Sequence, residues 1–359
     1  VLTNSLPHTP SGYAQRSHSI MMALRDKGWD VSAVTRIGWP ITTGALLADS
    51  RDEVEGIGYQ RLLPSQLALH FGDRIQQNAD MLLAYVLERR PAMLHTTTHW
   101  TNAIVVEAVA NAVGIPWVYE VRGQLADTWA SARGDDAVET DYYQLFQARE
   151  QEATLAADGL VTLGEQMKHN LVDFGANEHD IVLSPNAVGG QFLEEPGETR
   201  DARIALGLDP DLEYVGTISS LVPYEGLETV VEAAALLMPE RPKLRLLIVG
   251  DGTALPNIIA TARKLGIADR LITPGRVDRE QTHLYHQALD IFVVPRVSTK
   301  VTRMVTPMKS VEASASAKPV IASDLPALSE LVSHDKTGLL VPAEDTGAWA
   351  DAINGLLDN

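Results

Sequence analysis

Residues 290–321 read Asp-Ile-Phe-Val-Val-Pro-Arg-Val-Ser-Thr-Lys-Val-Thr-Arg-Met-Val-Thr-Pro-Met-Lys-Ser-Val-Glu-Ala-Ser-Ala-Ser-Ala-Lys-Pro-Val-Ile. The apolar run at 291–294 reads as a buried strand. A basic, polar loop carrying Arg296, Lys300 and Arg303 follows. Thr306-Pro307 then reads as a helix start, with Thr306 as N-cap and Pro307 at the first helical position. A small-residue helix runs to about 317, and Lys318-Pro319 opens the next strand. Free N–H groups and the helix dipole favour an anion at such a start. Lys309 stands in that first turn, where the dipole disfavours a cation, and three more cations precede it. Glu312 lies three residues on, on the same helix face, placed to accept hydrogen bonds from sugar hydroxyls. From this window, an anion site and a solvated basic loop with a surface Lys–Glu pair stand side by side.

Working outward, strands alternate with helices along the chain, the pattern of doubly wound parallel sheets. In the first half, strands are expected at 1–6, 30–35, 93–96, 116–123, 159–163 and 181–184. Helices are expected at 14–27, 71–89, 102–113, 141–157 and 165–174. Residues 41–70 read as irregular. Ser11-Gly12 forms a glycine-containing turn before the first helix, with Ser11 able to cap it. Residues 189–212 are polar and read as a linker. A second series follows, with strands at 213–218, 245–249, 271–273, 291–294, 320–322 and 338–341. The expected division is 1–188, linker 189–212, and 213–359. Ligands of such sheets bind at the carboxyl ends of the strands.

Composition narrows the function. At 359 residues and 45% hydrophobic content, the chain supports two ordinary globular cores. A net charge of −18 argues against general nucleic-acid binding and a broad electrostatic membrane patch. Without cysteine there is no disulfide, thiolate metal site or thiol catalysis. No apolar run approaches the roughly 20 residues of a membrane helix. No signal peptide is visible, and the start inside an expected strand reads as a trimmed N-terminus.

Several stretches in order carry a resemblance. Pro223-Tyr224-Glu225-Gly226-Leu227-Glu228, Val249-Gly250-Asp251-Gly252, Pro274-Gly275-Arg276-Val277, the 306–324 segment and Lys336-Thr337-Gly338-Leu339-Leu340-Val341-Pro342 resemble the second-half motifs of family 4 glycosyltransferases. Ser11-Gly12-Tyr13, Tyr119-Glu120-Val121-Arg122-Gly123 and Pro185-Asn186-Ala187-Val188 resemble those of the first half. The resemblance covers nearly the whole chain. It implies a GT-B fold, with two Rossmann-like domains facing across a cleft, and a retaining, metal-independent hexosyltransferase. The donor would be a nucleoside-diphosphate sugar acting as co-substrate, with no other cofactor. The acceptor would be a glycan, a lipid-linked sugar or a small molecule. The family's frequent work on cell-envelope polysaccharide implies a cytoplasmic location, at the inner membrane face for a lipid-linked acceptor. No nucleic-acid partner is expected.

Departures from the family pattern matter. Ser220 and Glu225 stand where the family has an Arg and a Lys for the diphosphate. Met304 stands where it has the first Glu of a pair, leaving Glu312 as the second. No His occurs at 119–123, so Glu120 or Arg122 would stand in. The resulting assignment makes Arg122, Glu120, Arg303 and Lys309 catalytic, with Arg296 or Lys300 in reserve. Gly12, Gly275, Arg276, Val277, Thr306, Pro307, Met308 and Glu312 bind the donor. Tyr13, Arg16 and Trp129, the last in a loop, meet the acceptor. Metal ligation by His95 and His99 lacks a carboxylate partner. The Glu-rich 149–152 stretch reads as a solvated helix face. Two other readings remain: a GT-B nucleotide-sugar epimerase, and a non-catalytic sugar-nucleotide-binding partner subunit.

Overall fold

The computed structural model describes residues 5–8, 11–44, 49–131 and 133–358. The chain divides into two compact units, residues 1–163 with 167–185, and residues 164–166 with 186–359.

The second unit holds a six-stranded sheet. Its strands are β8 (Glu213–Ile218), β9 (Leu244–Val249), β10 (Leu271–Gly275), β11 (Ile291–Val294), β12 (Val320–Ser323) and β13 (Gly338–Val341). The spatial order is β10-β9-β8-β11-β12-β13, and every pairing is parallel. Counted from β8, this is the order 3-2-1-4-5-6 of dinucleotide-binding sheets. Strands β11 and β12 are buried at every position, because helices cover both faces. One core cluster gathers Val215, Val230, Leu246, Ile258, Ile321 and Trp349; the other gathers Tyr214, Leu247, Phe292, Val294 and Val320. The strand order reverses between β8 and β11, so the loops leaving those two strands border the crevice where such sheets take ligands.

Those loops are held close. Gly226 has φ 65°, and a Cβ there would lie 2.1 Å from the Pro295 oxygen. Any side chain at 226 would force apart the turns after β8 and β11. Residues 189–212, expected as a linker, are part of this unit. They carry a 3-10 helix, Gly190–Leu193, and the helix Thr199–Ala205. Arg203 anchors the latter by donating to the Ala288 carbonyl and to Asp290.

The first unit holds two sheets. Strands β4 (Leu94–Thr97), β5 (Trp117–Val121), β6 (Gly159–Thr162) and β7 (Ile181–Leu183) form a parallel sheet in that order. A smaller mixed sheet joins β1 (Ala33–Val34), β2 (Arg51–Val54) and β3 (Ile57–Gln60) in the order β1-β3-β2. The β2–β3 hairpin corrects the reading of 41–70 as irregular. Its turn is Glu55-Gly56, both at positive φ, 48° and 79°, as a two-residue hairpin requires. Only β3 contributes buried residues, Ile57 and Tyr59, so the apolar signal is short. The strand expected at 30–35 reduces to Ala33–Val34. Residues 1–4 of the strand expected at 1–6 lie outside the described residues. Ser5 and Leu6 are buried and accept hydrogen bonds from Arg61.

Candidate active site

The helix Met308–Ala315 starts one residue later than expected. Pro307, at ψ 145°, is the N-cap, and no side chain caps the helix. Thr306 therefore does not cap; its buried Oγ1 has no hydrogen-bond partner among the described residues. The loop before it is not open chain. Lys300–Met304 forms a short helix closed by a Thr299/Thr302 capping box, which satisfies orphan N–H groups without an anion.

The four cations of this segment have separate fates. The Arg296 guanidinium is buried, donating to both Glu225 oxygens at 3.1 and 3.4 Å and to the Val305 carbonyl at 2.8 Å. Lys309 Nζ lies 2.5 Å from Glu225 Oε2 and donates to Ser219 Oγ at 2.6 Å. Lys300 and Arg303 are exposed, and Arg303 makes no ion pair among the described residues. Glu225, where the family pattern led us to expect a lost cation, is 4% exposed and sits between two cations. Burial raises its pKa, but Lys309 and Arg296 outweigh that and hold it at about 2. Desolvation lowers Lys309 to about 8 although Glu225 pulls it up. A 3-10 turn, Pro223–Glu225, leads into the helix Leu227–Leu237. That turn lifts the Glu225 carboxylate to the end of β8. Arg296 follows β11, so the trio sits at the switch point.

Glu312 is partly buried, with Oε2 3.7 Å from His286 Nε2. Burial raises its pKa, against Arg279 and Lys309. His286 is wholly buried and stacked on Phe292, ring centroids 5.0 Å apart. Desolvation holds it neutral, near pKa 3. Gly275 ends β10, at the edge of the sheet, with Arg276 exposed and Val277 half-buried beside it.

In the first unit Gly12 and Tyr13 belong to the helix Gly12–Asp26 rather than to a loop, and Ser11 caps it by accepting from Ala14 N. Glu120, on β5, is fully buried and pairs with Arg16 at 2.8 Å and Arg122 at 2.6 Å. Burial pushes its pKa up; His95, Arg122 and Arg16 overcome this and hold it well below the carboxylate range. Arg16 also donates to the Ser184 and Pro185 carbonyls, and Arg122 to the Tyr13 carbonyl. The Arg122 Nε is buried with no partner among the described residues. A cavity of about 180 Å³ opens beside it, lined by Tyr13, Ser17, Thr97, Thr98, His99, Arg122 and Leu125. His99 caps the helix Trp100–Val113, and desolvation followed by Arg36 lowers it to about 4, so this wall is neutral at pH 7. Trp129 is helical, in Leu125–Ser131, not in a loop, and its ring packs against Arg133 and Tyr142. Glu150 is not solvated: buried, it accepts from Leu125 N and Ala126 N and caps that helix.

The structure thus joins Tyr13, Arg16, Glu120 and Arg122 in one cluster and puts Lys309 in another. It leaves Arg303 outside both. Sequence reasoning missed Ser219 and the role of Glu225; an acidic residue in a cation's place was the available signal.

A six-stranded 3-2-1-4-5-6 sheet with a cationic switch point, preceded by a second parallel sheet, is the architecture of a GT-B glycosyltransferase. Residues 11–187 match the family described as glycosyl transferase 4-like domain, and residues 198–359 match glycosyl transferases group 1. Together these matches mark the chain as a family 4, GT-B type member. It is similar to the D-inositol 3-phosphate glycosyltransferase of Nocardia farcinica, 30% identical over 84% of this chain and 65% of the relative. It is also similar to the lipopolysaccharide core biosynthesis mannosyltransferase LpsB of Rhizobium meliloti, 32% identical over 46% of this chain and 48% of the relative. The chain spans less than two thirds of the length of these relatives. Among solved structures, sucrose-phosphate synthase from Thermosynechococcus elongatus superposes with TM-score 0.79 at 22% identity, over 97% of this chain and 85% of the other. Anabaena HepE in complex with UDP gives 0.76 at 16%, over 99% and 89%. No helix among the described residues is long and apolar enough to cross a membrane.

Proposed function

We propose that this chain is a retaining, metal-independent glycosyltransferase that moves a hexose from a nucleoside-diphosphate donor to a hydroxyl of a glycan, lipid-linked or small-molecule acceptor. One observation carries the reading: a Lys309 ammonium and an uncapped helix start lie at the switch point of a dinucleotide-type sheet. Departure of a nucleoside diphosphate builds negative charge on the leaving oxygens. Preorganised N–H groups and a fixed ammonium stabilise that charge as it develops. The backbone N–H groups of Met308, Lys309 and Ser310 have no intrahelical acceptor and are free to bind phosphate oxygens. Glu312 accepts from ribose hydroxyls, and residues 275–277 flank the base. The presence of UDP in a structural relative makes a uridine donor the first to test.

The first unit supplies the acceptor side. The cavity beside Arg122 receives the acceptor, with the Arg122 Nε as an unspent donor and Tyr13 at the rim. Glu120 keeps the two arginines in place.

Thermal-shift titration with UDP, GDP and ADP sugars identifies the donor, since a ligand bound only by the folded state raises its stability by mass action. Lys309→Ala should weaken binding of that donor about 100-fold, the scale of a lost buried charge-assisted contact. Lys243→Ala, an exposed change, should not alter it. Equal effects of the two would reject the assignment. Transfer assays in excess chelator, with the anomer of the product read by NMR, test the metal and stereochemical claims.

A further inference from the structure

Glu225 is an odd residue to find at an anion site. It is buried, negative, and next to where the phosphates of the donor would lie. Two facts remove the conflict. Its carboxylate is fully engaged, with Arg296 on one side and Lys309 on the other, and the three groups together carry one net positive charge. A bare lysine in the first turn of a helix is also disfavoured by the dipole and free to swing into water. Glu225 offsets both penalties.

We propose that Glu225 is a positioning residue: locked by Arg296, it holds the Lys309 ammonium at the uncapped helix start, where that ammonium serves as the main cation for the donor diphosphate. The proposal rests on the glycosyltransferase reading and adds a mechanism to it. The ion trio replaces, with charges transposed, a cation carried on the turn after β8. Ser219 Oγ, 2.6 Å from Lys309 Nζ, supplies the second fixed point. Gly226, which only glycine can occupy against Pro295, keeps Glu225 and Arg296 at bonding distance. Around the same helix start, the Thr306 and Ser310 hydroxyls are buried with no partner among the described residues. They are unspent donors of the kind phosphate oxygens use. A purely structural role explains the trio less well, since a buried ion pair is seldom better for stability than apolar packing.

The arrangement has a pH signature. The charged groups facing Lys309 are Glu225, Arg296 and Glu312, and of these Glu225 does most to keep it protonated against desolvation, which brings it to about 8. Donor binding should hold up to about pH 8 and fade above it as Lys309 loses its proton. Removing the Glu225 charge removes the support, so the fading should begin at lower pH.

The test is calorimetric binding of UDP, and of GDP and ADP in turn, to the full chain from pH 6 to 9.5. Wild type should bind one of them with a limb near pH 8. Glu225→Gln, nearly isosteric, should bind roughly tenfold more weakly at pH 7, the scale of one charge-assisted hydrogen bond, with its limb moved down by about one pH unit. An unchanged Kd and an unchanged limb would overturn the positioning role while leaving the donor reading intact. Failure of wild type to bind any nucleoside diphosphate would overturn both. If Glu225→Gln does not fold, Ser219→Ala removes the other anchor of Lys309 while keeping all three charges of the trio. It should weaken binding about threefold with a smaller downward shift of the limb than Glu225→Gln, and a fully wild-type Kd would count against a fixed ammonium.

Discussion

Each unit has a buried carboxylate flanked by two cations, Glu120 in the first and Glu225 in the second, and the two differ in what surrounds them. Glu120 lies between Arg16 and Arg122. Glu225 lies between Arg296 and Lys309. Both are held ionised by their partners. In the first unit two of the partners are guanidiniums, which do not titrate in proteins and which also donate to backbone carbonyls, and the third is His95, 3.6 Å from Glu120 Oε2. That cluster is a fixed wall. In the second unit one partner is an ammonium on a flexible stem, desolvated to within reach of physiological pH. The same geometry, a buried carboxylate between two cations, is thus built on two arginines in one place and on an arginine and a desolvated lysine in the other.

The contrast breaks most visibly at Glu120. Glu120→Ala removes the carboxylate that neutralises the Arg16 and Arg122 guanidiniums and should cost about 3–5 kcal/mol, read as a lower urea midpoint for the first unit. A loss under about 1 kcal/mol, the worth of an exposed pair, would show that solvent reaches the cluster.

A smaller effect sharpens the comparison by adding a buried group whose neighbouring carboxylate, Glu312 at 3.7 Å, does not offset its desolvation. His286 stays neutral in the fold, with both ring nitrogens unpartnered among the described residues. Its folded pKa near 3 lies below the unfolded value. Its contribution to stability is thus present above pH 6.5 and lost as pH falls from there toward 3, at about 1.4 kcal/mol per unit. His286→Phe, which keeps a ring against Phe292, should recover about 2 kcal/mol at pH 5 relative to pH 7. Parallel acid profiles for the two proteins would contradict this.

The smallest expected effect is at Arg303. Exposed and outside both clusters, it can offer only screened attraction. Arg303→Ala should weaken nucleotide binding no more than about threefold. A loss as large as that of Lys309→Ala would move the grip from Lys309 to the exposed rim.

What could be read from the chain itself follows the strength of each local signal. The apolar runs at 246–249, 291–294 and 320–322 are buried on both faces and announce parallel strands. Glycines at 250, 252 and 338 mark close approaches that need no side chain. The β2–β3 hairpin was hidden because Ile57 and Tyr59 are its only fully buried residues, although Glu55-Gly56 is a turn signal. At the site, Lys309 and Glu312 stood out by spacing on one helix. Glu225 registered only as a missing cation. Its partnership with Lys309 spans 84 positions of sequence, and no local pattern encodes a contact of that range. Arg296, Lys300 and Arg303 looked equivalent in a polar loop; burial against Glu225 separates the first from the others. The solvated face expected at 149–152 failed for a similar reason, since Glu150 is drawn inward by the bare N–H groups of Leu125 and Ala126.

The most direct test is a structure of the chain with its nucleoside diphosphate bound. A diphosphate oxygen should lie within about 3 Å of Lys309 Nζ, with Glu225 still on the far side of the ammonium and the phosphates against the N–H groups of residues 308–310. A diphosphate bound elsewhere, with Lys309 still engaged only by Glu225 and Ser219, would contradict it.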